Sequence, residues 1–196
     1  MPRQAGSCLS CQTLGIGKKQ SRLVSSMEIP TLQTDRLNLV PPSAVAEQLY
    51  EEFYTNALAS SAYGGPLTAG AAWARLASDL GTWHLRGFGV WVIQHRQQQD
   101  FVGVCGYWQG IGWPRELTWW VLPEARGAGI AREASEAAIK HAYRVFRWSV
   151  VETYMNDTNE PARGLVLRLG GIKTGRRQFP DGLERDVFQI PSPSNA

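Results

Sequence analysis

Between residues 37 and 190 the chain alternates short apolar runs with amphipathic stretches. LNLV (37–40) reads as a strand that Pro41, Pro42 and Ser43 terminate. In AVAEQLYEEFYTN (44–56), Val45, Leu49 and Phe53 recur four apart, which is helical spacing. GGPLT (64–68) is a loop. AAWARLASDLGTWH (71–84) predicts a second helix, with Trp73, Leu76, Ala77 and Leu80 on one stripe. FGVWVIQ (88–94), FVGVCGYW (101–108) and ELTWWVL (116–122) read as three strands separated by polar or Gly/Pro turns, close enough for an antiparallel meander.

IAREASEAAIKHAYRVF (130–146) carries a stripe of Ala131, Ala134, Ala138, Ala142 and Val145, small enough for a helix to lie close on a sheet. SVVETY (149–154) is the next strand. NEPARGLVLRLGG (159–171) is a helix stopped by glycine, and GLERDVFQI (182–190) is a closing strand. The β–α–β step through 117–154 should be parallel and right-handed. The expected class is α/β (α+β): a mixed, mostly antiparallel central sheet of about six to seven strands flanked by helices.

Composition narrows the setting. The 196 residues suit one domain with tails. Residues 1–27 hold Arg3, Lys18, Lys19 and Arg22 and no acid, so they supply +4 of a chain whose net charge is +3. The remainder carries −1 and gives no electrostatic case for nucleic acid. No apolar run reaches the roughly 20 residues of a membrane span. The expected division is a disordered basic leader over 1–27, one domain over 28–191 and a tail over 192–196. An organelle address in the leader, or a start at Met27, stays open. Cys8, Cys11 and Cys105 are too few for a disulfide scaffold and suit a reducing, cytoplasmic location. The Cys8–Cys11 pair has no second CxxC or paired His to complete a zinc site, so no metal is expected.

The candidate chemistry sits in PEARGAGIAREA (123–134), where Gly127, Ala128 and Gly129 precede the Ala-rich helix. The first N–H groups of a helix have no intrahelical partner and its dipole is positive there. Glycines at that end let a phosphate approach the backbone. They also suit a helix that simply packs tightly. A Walker loop would need Gly-Lys-Ser/Thr, and a dinucleotide fingerprint would need glycine where Arg132 stands.

RGAGIA resembles the acyl-CoA loop of the GNAT N-acetyltransferase superfamily. TLQTDRLNLV is similar to the opening of its branch that acetylates ribosomal-protein N-termini, and FVGVCGYW to its third strand. ELTWWVLPEARGAGIAREA and NEPARGLVLRLGG resemble two further motifs of that branch, in the same order, so the likeness spans roughly residues 31–190. The resemblance implies acyl transfer from acetyl-CoA, as co-substrate, to an amine. It implies that the donor's pyrophosphate rests on backbone N–H groups of Arg126, Gly127, Gly129, Ile130 and Ala131. It implies that the pantetheine arm pairs with backbone near Val121 and Leu122, and that Asn159 lies on the pantetheine side. Glu116, at the start of the fourth strand of the pattern, matches a general base of some members; the alternative is a solvated charge beside Arg115.

Three positions depart from the pattern. Val166 stands where many members carry a Tyr that protonates the leaving thiolate. Ala162 stands for a Ser, and Gly171 for the Phe of a Gly-Phe pair. His84, His95 and His141 read as surface or packing residues without evident partners, and Asp186 as an ion pair with Arg185. Trp119 and Trp120 face opposite sides of their strand, and Trp73 and Trp83 fall where the family builds its acceptor wall. The expected activity is N-acetylation of a primary amine, on a protein N-terminus or a small molecule, by a monomer or homodimer. The rivals are a catalytically weak acyl-CoA sensor of the same fold and a nucleotide-binding module.

Overall fold

The structure, a computed structural model, describes residues 28–193. Residues 1–27, the span of the expected leader with Cys8 and Cys11, and residues 194–196 of the expected tail lie outside the described residues. Five strands form one sheet in the order β1 (Leu32–Gln33), β2 (Leu37–Val40), β3 (Val90–His95), β4 (Phe101–Trp108) and β5 (Glu116–Val121). A second sheet holds β6 (Val151–Met155), β8 (Glu184–Ile190) and β7 (Ile172–Gln178), in that order. The helices are α1 (Glu47–Thr55), α2 (Ala57–Ser60), α3 (Ala69–Arg86), α4 (Ile130–Arg144) and α5 (Glu160–Arg168).

The α/β class is as expected, with one difference inside the sheet. Every ladder pairing is antiparallel, and β5 and β6 belong to separate sheets rather than to a parallel β–α–β pair. They approach without a ladder. The hydroxyl of Thr153 donates across the gap to the carbonyl of Leu117 at 2.9 Å.

The central strands are buried on both faces, which is why VWVI in β3 is continuously apolar. Trp91 and Ile93 face a core shared with α4 and the second sheet. Val90 and Val92 face a second core shared with α1 and α3, where Phe53 stacks on Trp120 at 4.0 Å. Ala134, Ala138 and Ala142 are fully buried, so α4 lies directly on the sheet, and the hydroxyl of Tyr107 donates to the Ala138 carbonyl at 3.0 Å.

The helix stripes need correction. α3 buries Ala72, Leu76 and Trp83, whereas Trp73 is 55% exposed and Ala77 lies at the surface. At the helix ends, Val45 and Val145 are also exposed, while Leu49 and Phe53 are buried as their spacing requires. β7 had no signal in the sequence: all seven residues of IKTGRRQ are exposed. Its order comes from its ladder with β8 and from ion pairs. Asp186 pairs with Arg163, Lys173 and Arg176 and not with Arg185, which reaches Asp181 instead; neighbours on a strand point to opposite faces. His95 has a partner after all, Asp100 at 2.9 Å, while Nε2 of His141 is buried without one.

Thr153→Val should remove the hydrogen bond across the two sheets and leave the Leu117 carbonyl without that donor. The expected cost is about 1–3 kcal/mol in urea unfolding with an unchanged far-UV spectrum.

Candidate active site

The parting of β5 from β6 leaves one edge of β5 without a partner strand. Leu122 donates its N–H to the Val102 carbonyl at 2.9 Å, so the residues that bond β4 alternate back from it along the strand. Leu117, Trp119 and Val121 therefore turn their N–H and C=O groups toward the gap. Side chains satisfy the three carbonyls. Thr153 bonds Leu117, the hydroxyl of Tyr63 donates to Trp119, and Nε of Arg126 donates to Val121 at 3.3 Å. Val121 is thus open to an extended guest, whereas Leu122 is already committed to β4.

Beyond β5 a single 3₁₀ turn (Pro123–Ala125) leads into the glycine loop. Gly127 and Gly129 both have φ of +80°, a left-handed turn that L side chains resist, and Gly129 caps α4. A Cβ at Gly127 would meet nothing within 4 Å, so the space over the loop is open. The first intrahelical bond runs from the Glu133 N–H to the Gly129 carbonyl. That leaves the N–H groups of Ile130 and Ala131 available, as the start of a helix requires. Arg126 differs from the expectation: its own N–H bonds the Pro123 carbonyl at 3.2 Å. Its guanidinium instead ties β5 to the Ala59 carbonyl at 3.2 Å. This combination of open edge, open loop and unpaired helix N–H groups fits a donor with a diphosphate head and an extended arm.

Between β5, β6 and the segment after α2 lies a cavity of about 520 Å³. Its lining brings Glu116 and Asn159 together from distant parts of the sequence, with Tyr54, Tyr63, Trp119 and Trp120 as aromatic walls. Asn159 also caps α5, accepting from the Ala162 N–H at 3.3 Å. Trp73 and Trp83 take no part. Trp83 is buried in the core and donates to the Val90 carbonyl at 2.7 Å.

Burial pushes the carboxyl of Glu116 up to about 8, opposed by the Arg185 cation and the Tyr154 hydroxyl. Arg185 opposes it incompletely because both its terminal nitrogens hold Asp181, at 2.9 and 2.5 Å. A second carboxyl at the cavity wall, Asp79, is raised by burial to about 6. It accepts from the Tyr50 hydroxyl at 2.7 Å and faces Arg75. Tyr63, Tyr154 and Asp79 were not singled out in the sequence, and Arg185 was read there only as a partner of Asp186. They come from four separate segments, and only the density of aromatic residues hinted at such a lining.

The split sheet thus presents an open strand edge, a glycine-capped helix beyond it and a raised carboxyl in the cavity alongside. A family model described as an acetyltransferase (GNAT) domain matches residues 36–172. The chain belongs to the GNAT acetyltransferase family and is an acyltransferase. An acetyltransferase from Agrobacterium tumefaciens str. C58 is 27% identical, covers 84% of this chain and 95% of its own, and superposes with a TM-score of 0.75. A GNAT-family acetyltransferase from Bordetella pertussis is 25% identical, with 83% and 100% covered and a TM-score of 0.70. A ribosomal L7/L12 alpha-N-protein acetyltransferase in complex with coenzyme A shares the fold at 11% identity, with 82% and 97% covered and a TM-score of 0.66.

The raised carboxyl has a consequence for stability. In the unfolded chain Glu116 ionises near its ordinary 4.5, but in the native state near 8. Between those values the native state holds a proton that the unfolded state has lost, so stability falls as pH rises and levels off above about 8. Asp79 acts in the same direction but only up to about 6. Melting temperatures from pH 6.5 to 8 should therefore decline, and Glu116→Gln should flatten that decline.

Proposed function

We propose that the protein is an N-acetyltransferase that moves an acetyl group from acetyl-CoA to a primary amine by direct attack in a ternary complex. The observation that carries this reading is Glu116, a carboxyl with its proton affinity raised to about 8 in a cavity beside an unpaired strand edge. On this reading Gly127, Gly129, Ile130 and Ala131 hold the donor's diphosphate through their N–H groups, while the Arg126 side chain fixes the end of β5. The pantetheine arm runs along the open edge at Val121, with Asn159 on the facing wall. Bound there, acetyl-CoA supplies the activated acetyl group.

The chain supplies the rest. An alkylammonium ion must lose a proton before its nitrogen can attack, and a base with a pKa near the working pH is the most effective acceptor. Glu116 meets that condition. It stands about five residues from Val121, roughly 17 Å along an extended strand. The amine therefore enters from the Glu116 end, or ordered water relays the proton. The Val121 N–H, turned to the open edge, stabilises negative charge developing on the acetyl oxygen. A departing thiolate, whose thiol has a pKa of about 8.5, tolerates the lack of a tyrosine at Val166. The aromatic lining favours a small amine with a flat apolar body over an extended N-terminal peptide.

The second reading, a catalytically weak acyl-CoA sensor, is favoured by Val166, fully buried and without a hydroxyl, and by Ala162. Release of free thiol over a panel of small amines and N-terminal peptides separates the two.

Glu116→Gln should lower kcat by about 10²–10⁴ while the KM for acetyl-CoA stays within a few-fold. Because the base must be ionised to act, wild-type activity should rise with pH to a plateau above about 8, and the variant should lose that limb. A kcat within a few-fold of wild type would remove Glu116 from the mechanism.

A further inference from the structure

Two pieces of the pattern lie outside the cavity and have no role in the reaction as derived. One is Thr34 and Arg36, ahead of β2; the other is Glu133, in the first turn of α4. The fold brings them together beside the glycine loop. One carboxylate oxygen of Glu133 accepts from the Arg36 backbone N–H at 2.9 Å and from the Thr34 hydroxyl at 2.5 Å. The other accepts from Nε of Arg36 at 2.7 Å. Thr34 is itself fixed, since it accepts from the Leu37 N–H at 2.9 Å. Burial alone would raise the Glu133 carboxyl, but these donors outweigh it and hold the group below its ordinary range. Glu133 is therefore an anion throughout the neutral range.

So braced, the guanidinium reaches the loop. Nη1 of Arg36 donates to the Ala128 carbonyl at 3.0 Å. Nη2 lies 3.4 Å from the position a Cβ would take at Gly129. In a trans peptide the carbonyl and the following N–H point in opposite directions. A carbonyl of Ala128 held toward Arg36 therefore turns the Gly129 N–H away from it, and that N–H has no acceptor among the described residues. The constraint matters because glycine stands on both sides of Ala128, and glycine gives a peptide unit little resistance to rotation.

We infer that Arg36, braced by Glu133, is a positioning residue that fixes the Ala128–Gly129 peptide in the orientation that receives the donor's diphosphate. This rests on the reading of the loop as the diphosphate site. The pair is a poor candidate for a stability element, because the Arg36 side chain is 54% exposed and an ion pair in that setting contributes little to folding. Its effect lies in pre-organisation: a loop already held in the bound conformation does not lose that freedom when the donor arrives. Fork geometry is part of the argument. Nε and Nη1 of one planar group serve Glu133 and Ala128 at once, which a lysine ammonium on a flexible stem cannot reproduce.

The test compares donors that do and do not carry a diphosphate. CoA affinity is measured by calorimetry, and kcat/KM is measured for acetyl-CoA and for S-acetylpantetheine, in wild type, Arg36→Ala and Arg36→Lys. Arg36→Ala should weaken CoA binding about tenfold or more. It should also lower the ratio of kcat/KM for acetyl-CoA to that for S-acetylpantetheine by a similar factor. Arg36→Lys, which keeps the charge and the fold, should lose nearly as much. Full rescue by lysine would reduce the role to charge attraction and overturn the inference. So would an equal loss on both donors, or CoA affinity unchanged in Arg36→Ala. Failure of the wild type to bind CoA would overturn the diphosphate reading itself and this inference with it.

Discussion

β5 and β6 lie side by side in separate sheets with no ladder between them. Buried backbone groups need partners, and a strand that gives up a neighbour must find them elsewhere. β5 finds them in side chains from three different places. Thr153 comes from β6, Tyr63 from the segment after α2, and Arg126 from the turn beyond the strand. All three are donors, so they satisfy carbonyls and leave the edge N–H groups facing the gap. An edge treated in this way keeps its carbonyls paired without a neighbouring strand. The cavity runs along β5 from Glu116 to Trp120, and the glycine loop follows beyond the end of the strand.

The loop shows how conformational need and ligand access can coincide. α4 is brought onto the sheet by Ala134, Ala138 and Ala142, so tight packing is already achieved inside the helix. The glycines before it are not explained by packing. Gly127 has no neighbour that a Cβ would strike, and Gly129 has only the end of the Arg36 side chain. What both positions require is a left-handed backbone, which turns the chain from the end of β5 into the helix while leaving the approach to its N-terminus clear.

How much of this was legible in the sequence depends on how local each feature is. The meander and α4 are marked by dense apolar periodicity over a dozen or more residues, and both stand where the pattern put them. The α3 stripe was misplaced because its inward face carries Asp79, half-buried at the cavity wall, which periodicity counts as polar, while the apolar Trp73 is exposed. β7 has no apolar alternation to read; it exists through its partner strand and through Arg176, which reaches Asp157, Glu184 and Asp186 together. The loop was legible because helix-start chemistry is contiguous. The cavity was not, because Glu116, Tyr63, Asp79, Tyr154 and Arg185 meet only through the tertiary fold, and the burial that raises Glu116 has no counterpart in its immediate neighbours along the chain.

The departures at Val166 and Gly171 illustrate the same point at the level of a single contact. In the sequence they are two separate losses, a missing hydroxyl and a missing aromatic ring. In the structure they are one packing arrangement. A Cβ at Gly171 would stand 2.4 Å from Cγ1 of Val166, closer than any side chain tolerates, and the Gly171 N–H donates to the Val166 carbonyl at 2.9 Å. Val166 is wholly buried in the main core, so its branched side chain fills space that a bare glycine leaves at the end of α5. The pair therefore closes the end of α5 tightly, and a side chain restored at Gly171 would collide with Val166. Two tyrosine hydroxyls of the cavity lining, those of Tyr63 and Tyr154, already donate to the backbone carbonyls of Trp119 and Pro114.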